Sequence, residues 1–222
     1  MVFLVPKSAL SVISQQCRSQ MRVSGLTTQI ALVTILALQM SSVFADSWLS
    51  PQPIAAVSEN AVWLVRVEPG VSIGDVYGFA GQPVGEYAEA TLFKYDEDGQ
   101  SYAEVETYRT RNPVAPVEVL ISDSGWLIAL DNWHNFGIGT VASIYDSSGD
   151  LISEFRLIDI FGPDELESLE RSTSSIWWRC GRASLDPTGT QILLSDKLGR
   201  DISIDYVDGT VEFAGDSGRC KN

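Results

Sequence analysis

Apolar and polar residues alternate along several short segments of this chain. In the segment DISIDYV, the apolar side chains of Ile202, Ile204 and Tyr206 fall on one side of an extended backbone and the polar side chains fall on the other. The same alternation occurs in AVWLVRVE (61–68) and in LISEFRLI (151–158). A period of two is typical of a strand with one buried face, so the pattern predicts a chain built mainly of β-strands.

Short clusters of Asp, Ser and Gly separate these segments. Asp caps a turn through its own side chain, and Gly adopts the positive φ that many tight turns require. The clusters therefore predict β-hairpins between neighbouring strands, with turns at 96–99, 122–125, 146–149, 186–189 and 207–209.

One segment has the features of a helix instead. Pro163 suits the first helical position, and Asp164 and Glu165 suit the positive end of the helix dipole. Leu166 and Leu169 then fall on one face of the helix. The sequence predicts one short helix, which joins two groups of strands.

The predicted hairpins resemble one another. Segment 92–106 aligns with 142–156 at an offset of 50 residues, and 117–131 has the same strand–turn–strand pattern as 182–196. Repeats of about 40–50 residues with four strands are typical of propeller blades. Pairs of hairpins thus form blade-like units, which we expect at about 60–109, 117–157 and 182–213.

The segments ASLDPTGTQILLSD (183–196) and VLISDSGWLIALD (119–131) resemble blades of the bacterial β-propeller superfamilies, and of small, exported, uncharacterised bacterial proteins with such repeats. The resemblance implies an all-β fold of antiparallel four-stranded sheets and carries no catalytic residue over to this chain. Closed propellers need at least about four blades. Because three are expected here, the sheets form a partial propeller or a sandwich, or two chains assemble to complete a ring.

The first 45 residues have the pattern of an export signal. They contain basic residues but no acidic ones, and an apolar run, IALVTILAL, is followed by small residues that end at Ala45. We expect a signal peptide over 1–45, with Met21 as an alternative start, and a single exported domain over 46–222, periplasmic or extracellular. The competing interpretation is an uncleaved anchor, but the segment is more polar than a spanning helix of about 20 apolar residues.

The charge of the chain limits its partners. It carries 15 Lys and Arg against 29 Asp and Glu, a formal net charge of −14. Such a surface repels phosphate backbones and anionic lipid headgroups. We therefore expect no binding to nucleic acid and no membrane insertion after signal cleavage, whereas a basic partner or a divalent cation fits the charge.

Two cysteines follow the signal, Cys180 and Cys220. An even pair in an exported protein predicts a disulfide. The pairing would attach the carboxyl-terminal tail to the WWRCGR segment. With these cysteines paired and a single histidine in the chain, a His/Cys metal cluster is not expected.

One sequence pattern and the single histidine suggest catalysis. The segment GVSIG matches the Gly-x-Ser-x-Gly pattern with Ser72 as nucleophile, and Asp131 and His134 follow in the order that such hydrolases use. The pattern requires a strand–turn–helix context, whereas this segment follows Pro69 among predicted strands. The alternative interpretations are a Gly-rich loop and a histidine that hydrogen-bonds to a turn.

Paired aspartates suggest a calcium site. Asp96 with Asp98, or Asp146 with Asp150, offers the carboxylate oxygens that Ca²⁺ prefers, although neither pair completes an EF-hand loop. Asp also stabilises hairpin turns without any metal. A structural module stabilised by Ca²⁺ is therefore one alternative function, and no other cofactor is expected.

Tryptophan and arginine concentrate in two segments, DNWHN and WWR. Both residue types are enriched at binding hot spots, and aromatic faces stack on sugars and peptides. The alternative is that the tryptophans fill the space between blades. The sequence predicts a binding site made of Trp133, His134, Trp177, Trp178 and Arg179.

These sequence features together favour one function over two others. The favoured function is an exported, non-enzymatic binding or scaffold protein of the bacterial envelope, with a protein or glycan partner. The first alternative is a small secreted hydrolase that uses Ser72 or His134. The second alternative is the Ca²⁺-stabilised module.

Overall fold

A computed structural model describes residues 50–71, 85–216 and 220 of the chain, all of which belong to one compact unit, Ala45–Asn222. Twelve strands and two short helices are defined. The helices are α1 (Leu157–Ile160) and α2 (Pro163–Ser168). The strands are β1 (Ile54–Val57), β2 (Trp63–Glu68), β3 (Glu89–Asp96), β4 (Ser101–Arg109), β5 (Pro116–Ile121), β6 (Leu127–Asn132), β7 (Ala142–Tyr145), β8 (Leu151–Phe155), β9 (Arg179–Leu185), β10 (Gln191–Asp196), β11 (Arg200–Asp205) and β12 (Val211–Asp216).

The strands form three four-stranded antiparallel sheets in which each strand pairs with the next along the chain. We call them blade 1 (β1–β4), blade 2 (β5–β8) and blade 3 (β9–β12). This architecture confirms the predicted all-β fold of blade-like sheets. The predicted alternation is also present, since Ile202, Ile204 and Tyr206 are buried whereas the intervening polar residues are half-buried.

Two elements differ from the sequence-based prediction. The segment LISEFRLI does not continue as a strand to its end, because the chain turns into α1, where Leu157 and Ile160 are buried three residues apart and Asp159 accepts a hydrogen bond from the Arg156 amide. The domain therefore has two short helices, not one. Blade 1 also begins earlier than position 60, with β1, whose small alanines give no clear alternation.

Blade 2 lies between the other two blades. Leu127 and Ala129 of β6 belong to an apolar cluster with blade 1, whereas Ile128 and Leu130 belong to a second cluster with blade 3. All six residues of β6 are consequently buried. A strand that is covered on both faces needs a continuous apolar run, and LIAL provides one.

The first hairpin of each blade uses the same turn. The residue before the turn accepts a hydrogen bond, through its side-chain oxygen, from the backbone N–H of the residue after the turn. The backbone N–H of the first residue in turn donates to the backbone carbonyl of the second. The equivalent pairs are Ser58 with Trp63, Ser122 with Trp126, and Asp186 with Gln191. This repeated device supports the equivalence of the three blades.

A disulfide joins Cys180, in β9, to Cys220, with a Cα–Cα distance of 5.9 Å. The predicted pairing is confirmed. It closes a loop of 40 residues, and the chain-entropy relation gives about 4 kcal/mol of stabilisation for a loop of that length.

No helix in the part of the chain that the structure describes is long and apolar enough to cross a membrane.

Candidate functional site

The interior between blades 2 and 3 contains a buried ionic network centred on Asp131. This residue ends the apolar part of β6, adopts a positive φ of 56° and is fully buried. Its Oδ1 accepts hydrogen bonds from Trp178 Nε1 at 2.8 Å and from the Gly137 amide at 3.1 Å. Its Oδ2 accepts a hydrogen bond from Arg179 Nε at 2.7 Å. The carboxylate thus joins blade 2 to the start of blade 3.

Arg179 extends the network to β5. Its Nη1 lies 2.9 Å from Glu118 Oε2, and Glu118 in turn accepts a hydrogen bond from the Ala183 amide in β9. Burial raises the pKa of the Asp131 carboxyl group, and the Arg179 guanidinium opposes that rise. A buried charge that loses its partner is costly, so each member of this network depends on the others.

Two residues of the predicted binding site belong to this network and not to the surface. Trp178 has no exposed area, and its ring packs edge-on against Phe161. Arg179 is 5 % exposed, and its guanidinium lies over the Phe136 ring. Both residues pack between blades, and a binding role for Trp178 and Arg179 stays a prediction.

The other three predicted binding residues are half-buried. The rings of Trp133 and His134 pack edge to face with centroids 4.9 Å apart, and Trp177 stacks on Phe136 at 5.3 Å. Trp177 precedes β9 and does not lie in a strand. A binding role for these three residues stays a prediction.

The proposed catalytic residues do not form a set in the described part of the chain. The Asp131 carboxylate is committed to its three donors in the blade 2–blade 3 contact. Burial lowers the pKa of His134, which therefore favours the neutral form. Ser72 lies outside the described residues.

The aspartates considered for calcium hold their own turns. Asp96 accepts hydrogen bonds from the amides of Asp98 and Gly99, and Asp146 accepts them from the amides of Ser148 and Asp150. Among the described residues, no three His, Cys, Asp or Glu side chains are grouped in a way that could hold a metal ion.

The first strands of the three blades line a groove that sequence analysis missed. Strand β1 contacts β5, and β5 contacts β9. Between them lies an open cavity of about 560 Å³, which we call the central groove. Its walls are largely apolar, and its main residues are Ile54, Ala56, Val117, Leu120, Arg182 and Ala183.

Arg182 is the most notable polar group of the central groove. It is exposed, and it takes part in no ion pair among the residues that the structure describes. Glu118 and Arg179 also line the groove, but they are paired with each other. Arg182 therefore leaves its charge available to a ligand.

The central groove continues toward the first hairpin turns of the blades. Here a second cavity of about 350 Å³ shares Ala56 and Leu120 with the first. One acidic residue from each turn lines it: Glu59, Asp123 and Asp186. Acidic side chains thus line this end of the groove, whereas Arg182 lines the first cavity.

The sequence held a signal for this groove, although a weak one. In VEVLI, a single charged residue, Glu118, interrupts an apolar run. This strand is the first of its blade and contacts β9, where the Glu118 carboxylate pairs with Arg179. Strand β1, by contrast, has no alternation of apolar and polar residues that would predict a strand at the groove.

Comparison with known proteins gives similarity of fold alone. No protein-family model matches the chain, and no curated protein matches it. Among solved structures, the periplasmic gluconolactonase PpgL of Pseudomonas aeruginosa is 12 % identical with a TM-score of 0.41, over 68 % of this chain and 38 % of that one. The C-terminal WD40 domain of Sif2 is 12 % identical (TM-score 0.37; 77 % and 40 %), and HIRA(644–1017) is 12 % identical (TM-score 0.40; 78 % and 56 %). This chain therefore spans less than two thirds of each of these structures.

Proposed function

We propose that this chain is an exported, non-enzymatic binding protein of the bacterial envelope, and that it holds its partner in the central groove. The observation that carries the proposal is the groove itself, which is formed by the first strand of all three blades. Its volume lies within the roughly 300–1,000 Å³ range of ligand sites.

The groove favours a protein partner with an extended segment. The apolar side chains of Val117 and Leu120 suit alternate side chains of such a segment. A basic residue of the segment would lie at the acidic turns, and a carboxylate of the segment would lie at Arg182, because each would then face a groove residue of opposite charge. A neutral glycan partner offers no basic group to the acidic end.

The disulfide supports export. Disulfides persist in oxidising compartments and are rare in the cytosol. The Cys180–Cys220 bond therefore agrees with the export signal expected over 1–45.

The test is affinity capture from native envelope extracts with two matched variants. Val117→Asp places a charge in the groove, where Val117 is 37 % exposed, and Val207→Asp places the same charge in the exposed β11–β12 turn. We expect the wild type and Val207→Asp to retain the same partner, and Val117→Asp to lose it. Equal capture by all three proteins, or a partner that protease treatment does not remove, would contradict the proposal.

A further inference from the structure

A further cavity lies beside the β6–β7 loop, apart from the central groove and from the cavity at the hairpin turns. It has a volume of about 460 Å³ and shares no lining residue with the groove. Three segments enclose it: the β6–β7 loop at Gly137–Gly139, the start of α1, and residues 171–176. We call it the arginine-flanked pocket.

The lining of this pocket combines apolar walls with positive charge. The walls are formed by four aliphatic side chains, Ile138, Leu157, Ile158 and Ile176. Arg156 and Arg171 supply the charge, and none of the lining residues is acidic. In a chain with nearly twice as many acidic as basic residues, this local composition is unusual.

Both guanidinium groups keep donors for a ligand. Arg156 Nε lies 3.7 Å from Asp159 Oδ2, and its side chain is 68 % exposed. Arg171 donates one hydrogen bond, from Nη2 to the Leu166 carbonyl at 2.5 Å. A guanidinium has five N–H donors, so each arginine can still bind a carboxylate with two parallel hydrogen bonds.

Backbone hydrogen bonds hold the walls in place. The Ile176 amide donates to the Phe136 carbonyl at 2.8 Å, and the Gly137 amide donates to Asp131 Oδ1. At Gly137, where φ is 71°, an added Cβ would lie 2.2 Å from the Ile176 carbonyl oxygen. The loop and residues 171–176 are therefore in close contact, and the pocket is formed before any ligand binds.

We propose that the arginine-flanked pocket binds a small amphipathic carboxylate, of the class of medium-chain fatty acids. The alkyl chain lies against Ile138, Ile158 and Ile176, and the carboxylate lies between Arg156 and Arg171. Ile158 supports this arrangement, because it is 53 % exposed without a ligand and an alkyl chain would cover it.

The test is calorimetric titration of the purified domain with decanoate. Decanol and decyltrimethylammonium have the same alkyl chain without the negative charge, so we expect neither to bind with comparable affinity. We also expect the affinity for decanoate to fall as salt is added, because both guanidinium groups are exposed.

Three variants locate the site. We expect Arg171→Gln and Arg156→Gln each to weaken decanoate binding about tenfold, since each removes one charge-assisted interaction. Arg66→Gln, at an exposed arginine of β2 that lines neither the central groove nor this pocket, should leave the affinity unchanged. Circular dichroism and the melting temperature show that each variant is folded.

Two results would overturn the proposal. One is equal affinity for decanol and decanoate, which would show non-specific apolar adsorption. The other is unchanged decanoate affinity in both Arg156→Gln and Arg171→Gln. Neither result bears on the central groove, whose partner is tested by a separate pair of variants.

Discussion

At the scale of single residues, the ion pair between Asp131 and Arg179 is the most deeply buried one in the described part of the chain. Both side chains are buried, and together they join β6, β5 and the beginning of β9. The exposed ion pairs, such as the one between Arg109 and Glu86, lie in water and contribute far less.

We expect Asp131→Ala to lower the free energy of unfolding by about 3–5 kcal/mol, because it removes one of the two carboxylates that pair with the buried Arg179 and leaves the buried Trp178 Nε1 donor without its acceptor. Urea denaturation followed by tryptophan fluorescence measures the loss. The matched control is Arg109→Met, which removes the exposed ion pairs with Glu86 and Glu89 and should change stability by less than about 1 kcal/mol. Similar losses in the two variants would show that the buried network is not special.

His134 makes a pH-dependent contribution that can be isolated, because the chain has a single histidine. Burial lowers its pKa in the folded state, so the unfolded chain binds the proton more tightly. The stability from this residue is present above the ordinary pKa of about 6.5 and decreases as the pH falls below that value. We expect an NMR titration of the histidine ring to show a midpoint below 6.5.

The variant His134→Gln provides the control for this prediction. It should show a smaller difference in melting temperature between pH 7.5 and pH 5.5 than the wild type. An NMR midpoint at or above 6.5 would contradict the prediction.

At the scale of elements, packing between blades determines at which turn a glycine can be replaced by a residue with a side chain. Gly125 ends the first turn of blade 2 with a φ of 85°, and an added Cβ would lie 2.7 Å from the Trp63 ring of blade 1. Gly189, in the equivalent turn of blade 3, has a φ of 68° and nothing within 4 Å of an added Cβ. A side chain at either position would strain the backbone, but only at Gly125 would it also collide with a neighbouring blade.

We expect Gly125→Ala to lower the free energy of unfolding by about 1–3 kcal/mol more than Gly189→Ala does, since only the first forces the two blades apart. Chemical denaturation of both variants gives the difference. An equal decrease in the free energy of unfolding in both variants would contradict the prediction and would show that backbone strain alone causes the loss.

The strands were predictable from sequence wherever one face is buried and the other is not. In β11, Ile202 and Ile204 alternate with polar residues, and this alternation correctly predicts a strand with Ile202 and Ile204 on its buried face. Strand β1 gave no such signal because IAAV is short and its alanines fit either face. The sequence pattern indicates the end of a strand where α1 lies, because two buried residues, Leu157 and Ile160, are too few to show a helical period.

The candidate site was less predictable than the strands. Trp177 and Trp178 are neighbours in sequence, yet one is half-buried and the other fully enclosed, and only the path of the chain before β9 decides which. The pairing of Asp131 with Arg179 joins residues 48 positions apart. The central groove needs the first strands of three separate blades, so no local pattern contains it.

At the scale of the whole molecule, the disulfide constrains the last strands of the domain. Cys220 lies beyond β12, and its bond to Cys180 connects that end of blade 3 to β9. We expect Cys180→Ser/Cys220→Ser to lower the free energy of unfolding by about 4 kcal/mol, the chain-entropy value for this loop. Denaturation with and without reductant tests it, and a stability that neither reductant nor the double variant changes would contradict the prediction.

The position of blade 2 has a consequence for how the domain opens. Detaching either end blade exposes one apolar interface to water, whereas opening blade 2 exposes both at once. Native-state hydrogen exchange should therefore show the slowest exchange at the amides of β6 and β7, close to the rate of global unfolding, and faster exchange through partial openings in β3 and β11. Transient partial unfolding would then be confined to the ends of the domain, and the middle sheet would open only when the entire fold is lost.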